Sequence, residues 1–294
     1  MKPGKCRGGR LSSRIVTSSV NEIPAELLEL FADEESRRRT LTVPLPPGRT
    51  VRVDEGDGER AVLWVSDDPA PAGLWPRLHA AHGDSGLWPL LLDSLPGEPT
   101  RPWDDGELWP DGLSSPAQHD VAQLLAGWWA SRTGSDDEDS ASRATDPYGR
   151  DWPGLAPAAQ PRLAPQQHAD HWAEQLAHAQ PSMRLGLVAA DRGSDALTVA
   201  GWQGPANYTN DTGKISAVLR SWEDRFGVRV IGVGFAELYL SVAAPPGDLA
   251  EALPIAAEHF AFCPDNIWQG PHPHTLGGYA DRLIDAPTWA FWWD

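Results

Sequence analysis

Cysteine is scarce in this sequence, which has only Cys6 and Cys263 among its 294 residues. Two cysteines cannot build the framework of several disulfides that holds small secreted domains together. Long apolar runs are also missing, because no stretch of about 18 apolar residues is present to span a bilayer. Residues 1–20 lack the apolar core of a secretory signal. We therefore expect a soluble, cytoplasmic protein.

Lysine is the scarcest charged residue, with three copies at Lys2, Lys5 and Lys214. The 24 lysines and arginines are outnumbered by 41 acidic residues, so the net charge is -17 at pH 7. A protein with this charge repels phosphate backbones and anionic lipids. We therefore expect neither nucleic acid nor membrane as a partner, and a basic protein is the partner that the charge favours.

The motifs of several common enzyme classes are absent. The sequence contains neither the P-loop pattern G-x-x-x-x-G-K-[ST] nor the dinucleotide pattern G-x-G-x-x-G. The serine-hydrolase elbow G-x-S-x-G and the zinc patterns H-E-x-x-H and C-x-x-C are missing as well. Histidines occur in two groups, His168, His171 and His178 on one predicted helix and His272 with His274 in a loop. Neither group offers three well-spaced ligands, so we predict no metal site and no cofactor.

Tryptophan, in contrast, is abundant, with 15 copies. Four of them precede a proline, namely Trp75, Trp88, Trp109 and Trp152. An indole buries a large area but needs a partner for its N–H, so it favours half-buried positions and interfaces. The pattern has two interpretations: tryptophan packed on proline to fix loops, or an aromatic binding surface.

The composition divides the chain into four parts. Residues 1–20 form a basic arm, rich in glycine and serine, that we expect to be disordered. Residues 21–130 predict a smaller α/β unit. Residues 131–165, rich in proline, aspartate and serine, predict a linker that includes an acidic cluster at 136–139. Residues 166–294 predict a second domain of the α+β class.

The clearest element of the second domain is a helix that begins after Asn210 or Asp211. From Ile215 its apolar residues recur at i, i+3, i+4, i+7 and i+11, and Gly227 is placed to end it. The runs "VRVIGVGF" and "ELYLSVA" predict an antiparallel strand pair, and "TWAFWWD" predicts a final strand. A helical region at 248–262 is expected to be interrupted or restarted at Pro254. The order β-α-β-β-α-β matches the split βαβ, ferredoxin-like plan, with helices on one face of an antiparallel sheet.

Four segments carry a resemblance: "GWQGPAN", "SWEDRFGVRVIGVGF", "EHFAFCPDNIWQG" and the terminal "FWWD". Together they resemble a bacterial family of uncharacterised proteins known only as a domain of unknown function. The resemblance covers residues 185–294 well and residues 63–109 loosely, and it excludes the first 20 residues. It implies no chemistry, so it assigns no catalytic role to any residue.

The segment "EHFAFCPDNIWQG", residues 258–270, is the part of the chain that looks most like a site. A Cys-His nucleophile, a corner of a metal site and a helix end followed by a turn are all compatible with it. Pro264 ends the helical region, so Cys263 lies at a helix C-terminus, where the dipole disfavours a thiolate. Only His259 is placed to activate the thiol. We therefore predict that Cys263 is a buried structural residue and that "CPDN" is a turn.

The candidate binding residues come from two of these segments, and none is predicted to be catalytic. They are His259, Cys263, Asp265, Asn266 and Trp268 in the first segment and Trp202 and Asn207 in "GWQGPAN".

Two hypotheses of function follow. The leading one is a non-catalytic binding or interaction protein, for example an immunity or antitoxin-like protein that neutralises a basic partner. An acidic, tryptophan-rich surface suits both the steering and the anchoring of such a partner. The alternative is an enzyme with its site at the domain interface around His259, Cys263 and Asp265.

Overall fold

The computed structural model describes residues 23–32, 39–54, 58–104, 107–134 and 144–294. Its strands are β1 (Gly48–Asp54), β2 (Glu59–Pro69), β3 (Leu87–Leu92), β4 (Arg184–Ala189), β5 (Val228–Val233), β6 (Glu237–Val242) and β7 (Thr288–Trp292). Its α-helices are α1 (Ala25–Leu28), α2 (Leu74–Ser85), α3 (Val121–Thr133), α4 (Pro165–Ala179), α5 (Ala196–Ala200), α6 (Thr212–Phe226), α7 (Leu249–Phe262), α8 (Asp265–Trp268) and α9 (Leu276–Leu283). The predicted arm at 1–20, with Cys6, and the acidic cluster at 136–139 lie outside the described residues.

The seven strands form one mixed sheet in the order β1-β2-β4-β3-β5-β6-β7. β3 and β5 are parallel, and the other neighbouring strands of this sheet are antiparallel. The α+β class is therefore confirmed. The predicted antiparallel pair is β5 with β6, and the predicted final strand is β7, which pairs with β6 at the edge of the sheet.

The central position of β3 follows from its sequence. "LWPLLL" is apolar throughout, and all six residues are buried. A strand of this kind needs cover on both faces, as central strands have. β3 lies between β4 and β5, so a strand of the predicted unit 21–130 separates two strands of the predicted domain 166–294. The boundary at 131–165 therefore does not divide the sheet.

The ferredoxin-like strand order is not the one observed. In that plan the first and last strands of the βαββαβ unit are neighbours, whereas here β4, β5, β6 and β7 follow their order in the sequence, with β3 inserted. Helices also cover both faces of the sheet instead of one. β2 and β3 together account for the difference, because they occupy both edges of β4, which the plan reserves for other strands of the unit.

Two hydrophobic cores lie on the two faces of the sheet. On one face α2 and α4 pack against the sheet through Leu78 and Ala173, and the hydrogen bond between His79 Nδ1 and Asp170 Oδ1, 2.7 Å long, joins the two helices. On the other face α3, α5, α6, α7 and α9 build the larger core, which contains the rings of Trp129 and Trp222.

The helices of the larger core agree with the sequence except at one position. α6 begins at the cap Asp211, whose carboxylate accepts a hydrogen bond from Gly213 N, and it ends at Gly227 with φ 63°. α7 begins after the cap Asp248 and continues through Pro254 without the predicted interruption. Pro254 lies within the second turn of α7, where it removes one hydrogen bond of the helix without ending it.

Residues 144–165 do not extend away from the core. Tyr148, Trp152, Leu155 and Ala159 pack against the larger core, and Ala156 is buried. In the part of the chain that the structure describes, no helix is long and apolar enough to cross a membrane.

Candidate functional site

The candidate site is built around the C-terminal half of α7, which carries Glu258 and His259, and the turn that leads into α8. Glu258 is fully buried. Its carboxylate accepts two hydrogen bonds from the guanidinium of Arg225, at 2.7 and 2.6 Å, and one from Trp222 Nε1 at 2.7 Å. A fourth hydrogen bond comes from Ala156 N at 2.7 Å. A buried charge is tolerated when it is paired and hydrogen-bonded in this way, so Glu258 joins α6, α7 and the 144–165 segment.

His259 is also fully buried. Its Nδ1 lies 3.0 Å from the hydroxyl of Tyr279, and its Nε2 has no hydrogen-bond partner among the residues that the structure describes. The ring is enclosed by the rings of Trp222, Trp289 and Phe291, at centroid distances of 4.9, 4.4 and 4.8 Å. Burial, with a smaller effect from the positive charge of Arg225, holds the pKa of His259 well below its usual range. The imidazole is therefore neutral at pH 7.

Cys263 lies at the C-terminal end of α7 and is fully buried, as its position before Pro264 predicts. Its thiol donates to the carbonyl of Trp292 at 3.0 Å. Burial raises the pKa of Cys263 to about 12. A thiol in this environment is protonated at pH 7 and is a poor nucleophile.

Asn266 holds the free edge of β7. Its Nδ2 donates to the carbonyl of Ala290 at 2.8 Å, and its Oδ1 accepts from the N–H of Trp292 at 3.3 Å. In a parallel sheet, one residue forms the same two hydrogen bonds with the neighbouring strand, to residues that are two positions apart. Asn266 thus takes the place of one residue of a neighbouring strand. Together with the Cys263 thiol, which bonds Trp292 O, it occupies part of the outer edge of β7.

The same amide fixes the hydrogen bonds of the buried histidine. Asn266 Nδ2 also donates to Tyr279 Oη at 3.1 Å, so the Tyr279 hydroxyl is left to donate to His259 Nδ1. His259 then carries its proton on Nε2, among the aromatic rings. The backbone of β7 therefore determines the tautomer of His259 through Asn266 and Tyr279.

Asp265, almost fully buried at the start of α8, ties down two further segments. Its Oδ1 accepts from Tyr208 Oη at 2.8 Å, and its Oδ2 accepts from Asp294 N at 3.1 Å. The guanidinium of Arg132 lies 4.4 Å from the ring of Tyr208. Burial, helped by the hydrogen bond to Asp265, raises the pKa of Tyr208, so the phenol stays protonated.

The other candidate residues are not part of this cluster of buried polar groups. Trp202 is buried, and its Nε1 donates to Gly234 O at 2.8 Å. Trp268 is 39% exposed and packs edge-on against Phe260. Asn207 is exposed. The structure therefore brings together His259, Cys263, Asp265 and Asn266 of the predicted set.

Sequence reasoning missed Tyr279, Tyr208 and Arg132, which come from distant parts of the chain. The available signal was weak: Tyr208 directly follows "GWQGPAN", and Tyr279 lies on the apolar face of α9. Glu258 was part of the segment but was not proposed as a site residue. An acidic residue on the buried face of a helix is a signal of a buried ion pair. Arg225 and Trp222 on the preceding helix were available as its partners.

A serine, a histidine and an aspartate also meet elsewhere, in an order unsuited to catalysis. Ser114 Oγ lies 2.8 Å from Asp211 Oδ2 and 2.5 Å from His119 Nε2. Burial acts to raise the pKa of Asp211, but hydrogen bonds from Ser114 and Gly213 hold it below its usual range. The ionised carboxylate takes the only hydroxyl proton of Ser114, so His119 donates to the serine instead of activating it. In a catalytic triad the histidine lies between the other two.

No group of three or more histidine, cysteine, aspartate or glutamate side chains suited to a metal ion occurs among the described residues. His272 and His274 stack face to face, with centroids 3.9 Å apart. Two parallel stacked imidazoles cannot both direct a nitrogen lone pair at one ion, because the lone pairs lie in the ring planes.

Comparison with known proteins concerns the C-terminal part of the chain, which contains the whole cluster except Arg132. Residues 184–294 match the family model of a domain of unknown function, DUF4253. No curated protein matches the chain, and no solved structure does. The matched region begins at the first residue of β4 and includes β5, β6 and β7, but it does not include β3.

The geometry of the cluster determines what it does. Each carboxylate, the thiol and the amide bonds to another part of the protein, and the histidine is enclosed by rings. The cluster joins α7, α8, α9 and the segment around Tyr208 to the last strand of the DUF4253 region. It is suited to holding the C-terminus in place.

Proposed function

We propose that this chain is a non-catalytic binding protein whose partner is a basic protein. One observation supports the first part most directly: the polar groups of the 258–266 segment are buried and bonded to the protein itself. Catalytic groups must reach substrate, and a catalytic thiol needs a lowered pKa. Cys263 and His259 are both buried away from any substrate. The pKa of the Cys263 thiol is raised instead of lowered.

The charge of the chain supports the second part. The net charge is -17, and five of the 24 basic residues lie before Ile15. The rest of the chain is therefore more acidic than the total indicates. A field of this sign speeds the encounter with a basic partner and repels acidic ones. An immunity or antitoxin-like protein, which neutralises a basic protein, is the concrete version of this proposal.

The enzyme hypothesis requires a cleft that leads to His259, Cys263 and Asp265. The exposed fractions of these residues are 0%, 0% and 2%. An enzyme at this position would therefore have to open the core between α7 and β7 in each catalytic cycle. The binding hypothesis requires no such opening, and we prefer it for that reason.

The proposal is tested by selecting random displayed peptides on the immobilised full-length protein at low salt. We expect enriched peptides to carry net positive charge, and their affinity to fall steeply between 50 mM and 500 mM NaCl. The same selection at 1 M NaCl is the control, since the Debye length is then about 3 Å. Enrichment of neutral or acidic peptides, or no enrichment over blank beads, would contradict the proposal.

A further inference from the structure

The four tryptophans that precede a proline have different environments. Trp75 and Trp88 are buried, and Trp152 is half-buried, as expected for rings that pack on loops. Trp109 is 61% exposed, more than the other exposed large hydrophobic residues in the described part of the chain. A single exposed apolar side chain is common on a protein surface. An indole is a large one, and a partner that covered it would gain apolar contact area.

The backbone that carries Trp109 is fixed in place. Trp109 N donates to Gly201 O at 2.7 Å, and Trp109 O accepts from Gln203 Nε2 at 3.2 Å. Gly201 has φ 71°, and a Cβ there would lie 2.2 Å from Pro110 N, so only glycine permits this approach. Leu108 is buried directly before the exposed ring. A fixed backbone with an exposed ring is the arrangement of a preorganised anchor.

Two more exposed aromatic residues lie at the turn between β5 and β6, Phe235 within it and Trp292 beside it. Trp202, next to Gly201, donates from Nε1 to Gly234 O at 2.8 Å, and Phe235 follows at 37% exposure. On the other side of this turn Trp293 N donates to Ala236 O at 3.2 Å, and the neighbouring Trp292 is 39% exposed. We call Trp109, Phe235 and Trp292 the Trp109 surface.

Three carboxylates are associated with the Trp109 surface, two of them through Arg101 and one by its position in the chain. Arg101 lies 5.4 Å from the ring centroid of Phe235, and its charge is taken by Glu107 at 2.8 Å and Glu98 at 3.4 Å. Asp111 is exposed two residues after Trp109. One arginine therefore stands against three carboxylates, so this region shares the negative sign of the whole chain.

We propose that the Trp109 surface docks a basic segment of a protein partner, which receives the indole in an apolar pocket. Lysine and arginine side chains of that segment would meet Glu98, Glu107 and Asp111. This inference rests on the proposed function, and it adds the place of binding. A second copy of this chain is a poor occupant, because two chains of charge -17 repel each other.

The experiment measures the affinity of the basic peptides obtained in the selection for four full-length proteins. These are the natural sequence, Trp109→Ala, Phe235→Ala and Leu163→Ala. Leu163 is the matched control, since it is 59% exposed and lies far from the Trp109 surface. The neighbouring Arg162 N donates to Ala243 O, just after the end of β6 that is opposite Phe235. The six residues of β6 separate it from Phe235 by about 20 Å.

We expect Trp109→Ala to weaken binding by at least about 30-fold and Phe235→Ala by about 5-fold or more, with no change for Leu163→Ala. Thermal unfolding of all four proteins checks the fold, which these exposed positions should leave intact. Basic peptides that bind the Trp109→Ala and Leu163→Ala proteins equally well would contradict the proposed docking surface. They would still agree with the proposed function. Neutral peptides whose binding needs Trp109 would overturn the basic partner instead.

Two further outcomes count against the inference. If no peptide is enriched, both the proposed function and the docking surface lose their support. If sedimentation shows a homodimer of the natural sequence that Trp109→Ala abolishes, the occupant is a second copy of this chain.

Discussion

His259 and Cys263 are four residues apart at the end of α7, a spacing at which two helical side chains can meet. Their surroundings are unfavourable for a nucleophile and its base. The thiol is enclosed at a helix C-terminus and donates to Trp292 O, and the imidazole is kept neutral by burial. Reactive cysteines instead occur at helix N-termini or next to cations. The residue types alone therefore do not identify a site.

Thiol labelling tests this account of Cys263. In a Cys6→Ser variant, Cys263 should react with iodoacetamide at pH 8 at least about 100-fold more slowly in the native protein than in denaturant. The reason is that a thiol whose pKa is about 12 is almost entirely protonated at pH 8 and is shielded from reagent. Fast native labelling with an apparent pKa below about 8.5, lost in His259→Ala, would favour the enzyme hypothesis.

The lowered pKa of His259 predicts an effect of pH on stability. The unfolded chain binds a proton at this residue near pH 6.5 and the folded chain does not, so acid favours the unfolded state. The stabilisation is present above pH 6.5 and is lost as the pH falls below it. Over the range from pH 7 to 5.5 this loss is about 1 kcal/mol for one histidine.

Urea unfolding at pH 7 and 5.5 checks this effect. The fall in the free energy of unfolding should be smaller by about 1 kcal/mol in His259→Gln than in the natural sequence. His171→Gln, which replaces an exposed histidine, is the control and should keep the full dependence. His82, whose pKa burial also lowers, is present in all three proteins and does not affect the comparison. An unchanged dependence in His259→Gln would show that His259 binds its proton as readily in the folded state as in the unfolded chain.

At the scale of elements, β7 shows how an edge strand at the chain terminus is kept in place. Its inward residues Trp289 and Phe291 and the following Trp293 are almost fully buried, as the alternation in "TWAFWWD" predicts. Its outer edge is bonded by Asn266 instead of another strand. Side-chain packing and edge protection therefore come from different elements.

Replacing Asn266 separates these two contributions. Asn266→Ala removes the partners of Ala290 O, Trp292 N and Tyr279 Oη, and we expect it to lower the free energy of unfolding by about 1 to 3 kcal/mol. Asn207→Ala, at an exposed asparagine, is the control and should change stability by less than about 0.5 kcal/mol. Chemical denaturation of the three proteins measures both values. Equal stability of Asn266→Ala and the natural sequence would mean that water replaces the amide at this edge.

At the scale of the whole molecule, β3 connects the two halves of the chain. Leu87–Leu92 precedes the DUF4253 region by more than 90 residues, yet it pairs with β4 and β5 of that region. Without β3 those two strands would each have an unpaired, buried edge. Unpaired backbone groups inside a core are strongly unfavourable.

The fragment 166–294, the predicted second domain, tests the role of β3. We expect it to lack cooperative thermal unfolding and to aggregate, because it has no strand between β4 and β5. Circular dichroism and sedimentation of the fragment and of the full chain provide the comparison. Co-expression with residues 21–165, which contain β3 and the segment whose Ala156 N bonds Glu258, should restore a soluble complex. A fragment that unfolds cooperatively by itself would show that the predicted domain is an independent folding unit.

Local features of this protein follow from its sequence. The spacing from Ile215 to Phe226, the cap Asp211 and Gly227 determine α6, because helix periodicity and end signals act over a few residues. The placement of Pro264 after Cys263 determines the end of α7 for the same reason. The acidity of the chain and the absence of common enzyme motifs also depend on the sequence alone.

The tertiary structure decided the rest, because those features depend on which distant segments meet. "LWPLLL" indicates a buried strand, but only the fold places it between β4 and β5. Asn266 is one polar residue in a turn until β7 lies beside it, and Tyr279 reaches His259 only after α9 packs on α7. Trp109 shares its Trp-Pro pattern with buried tryptophans, and only the fold leaves its ring exposed while its backbone bonds Gly201, 92 positions away. Sequence periodicity reports which face of an element is buried, and contacts between elements determine what each face meets.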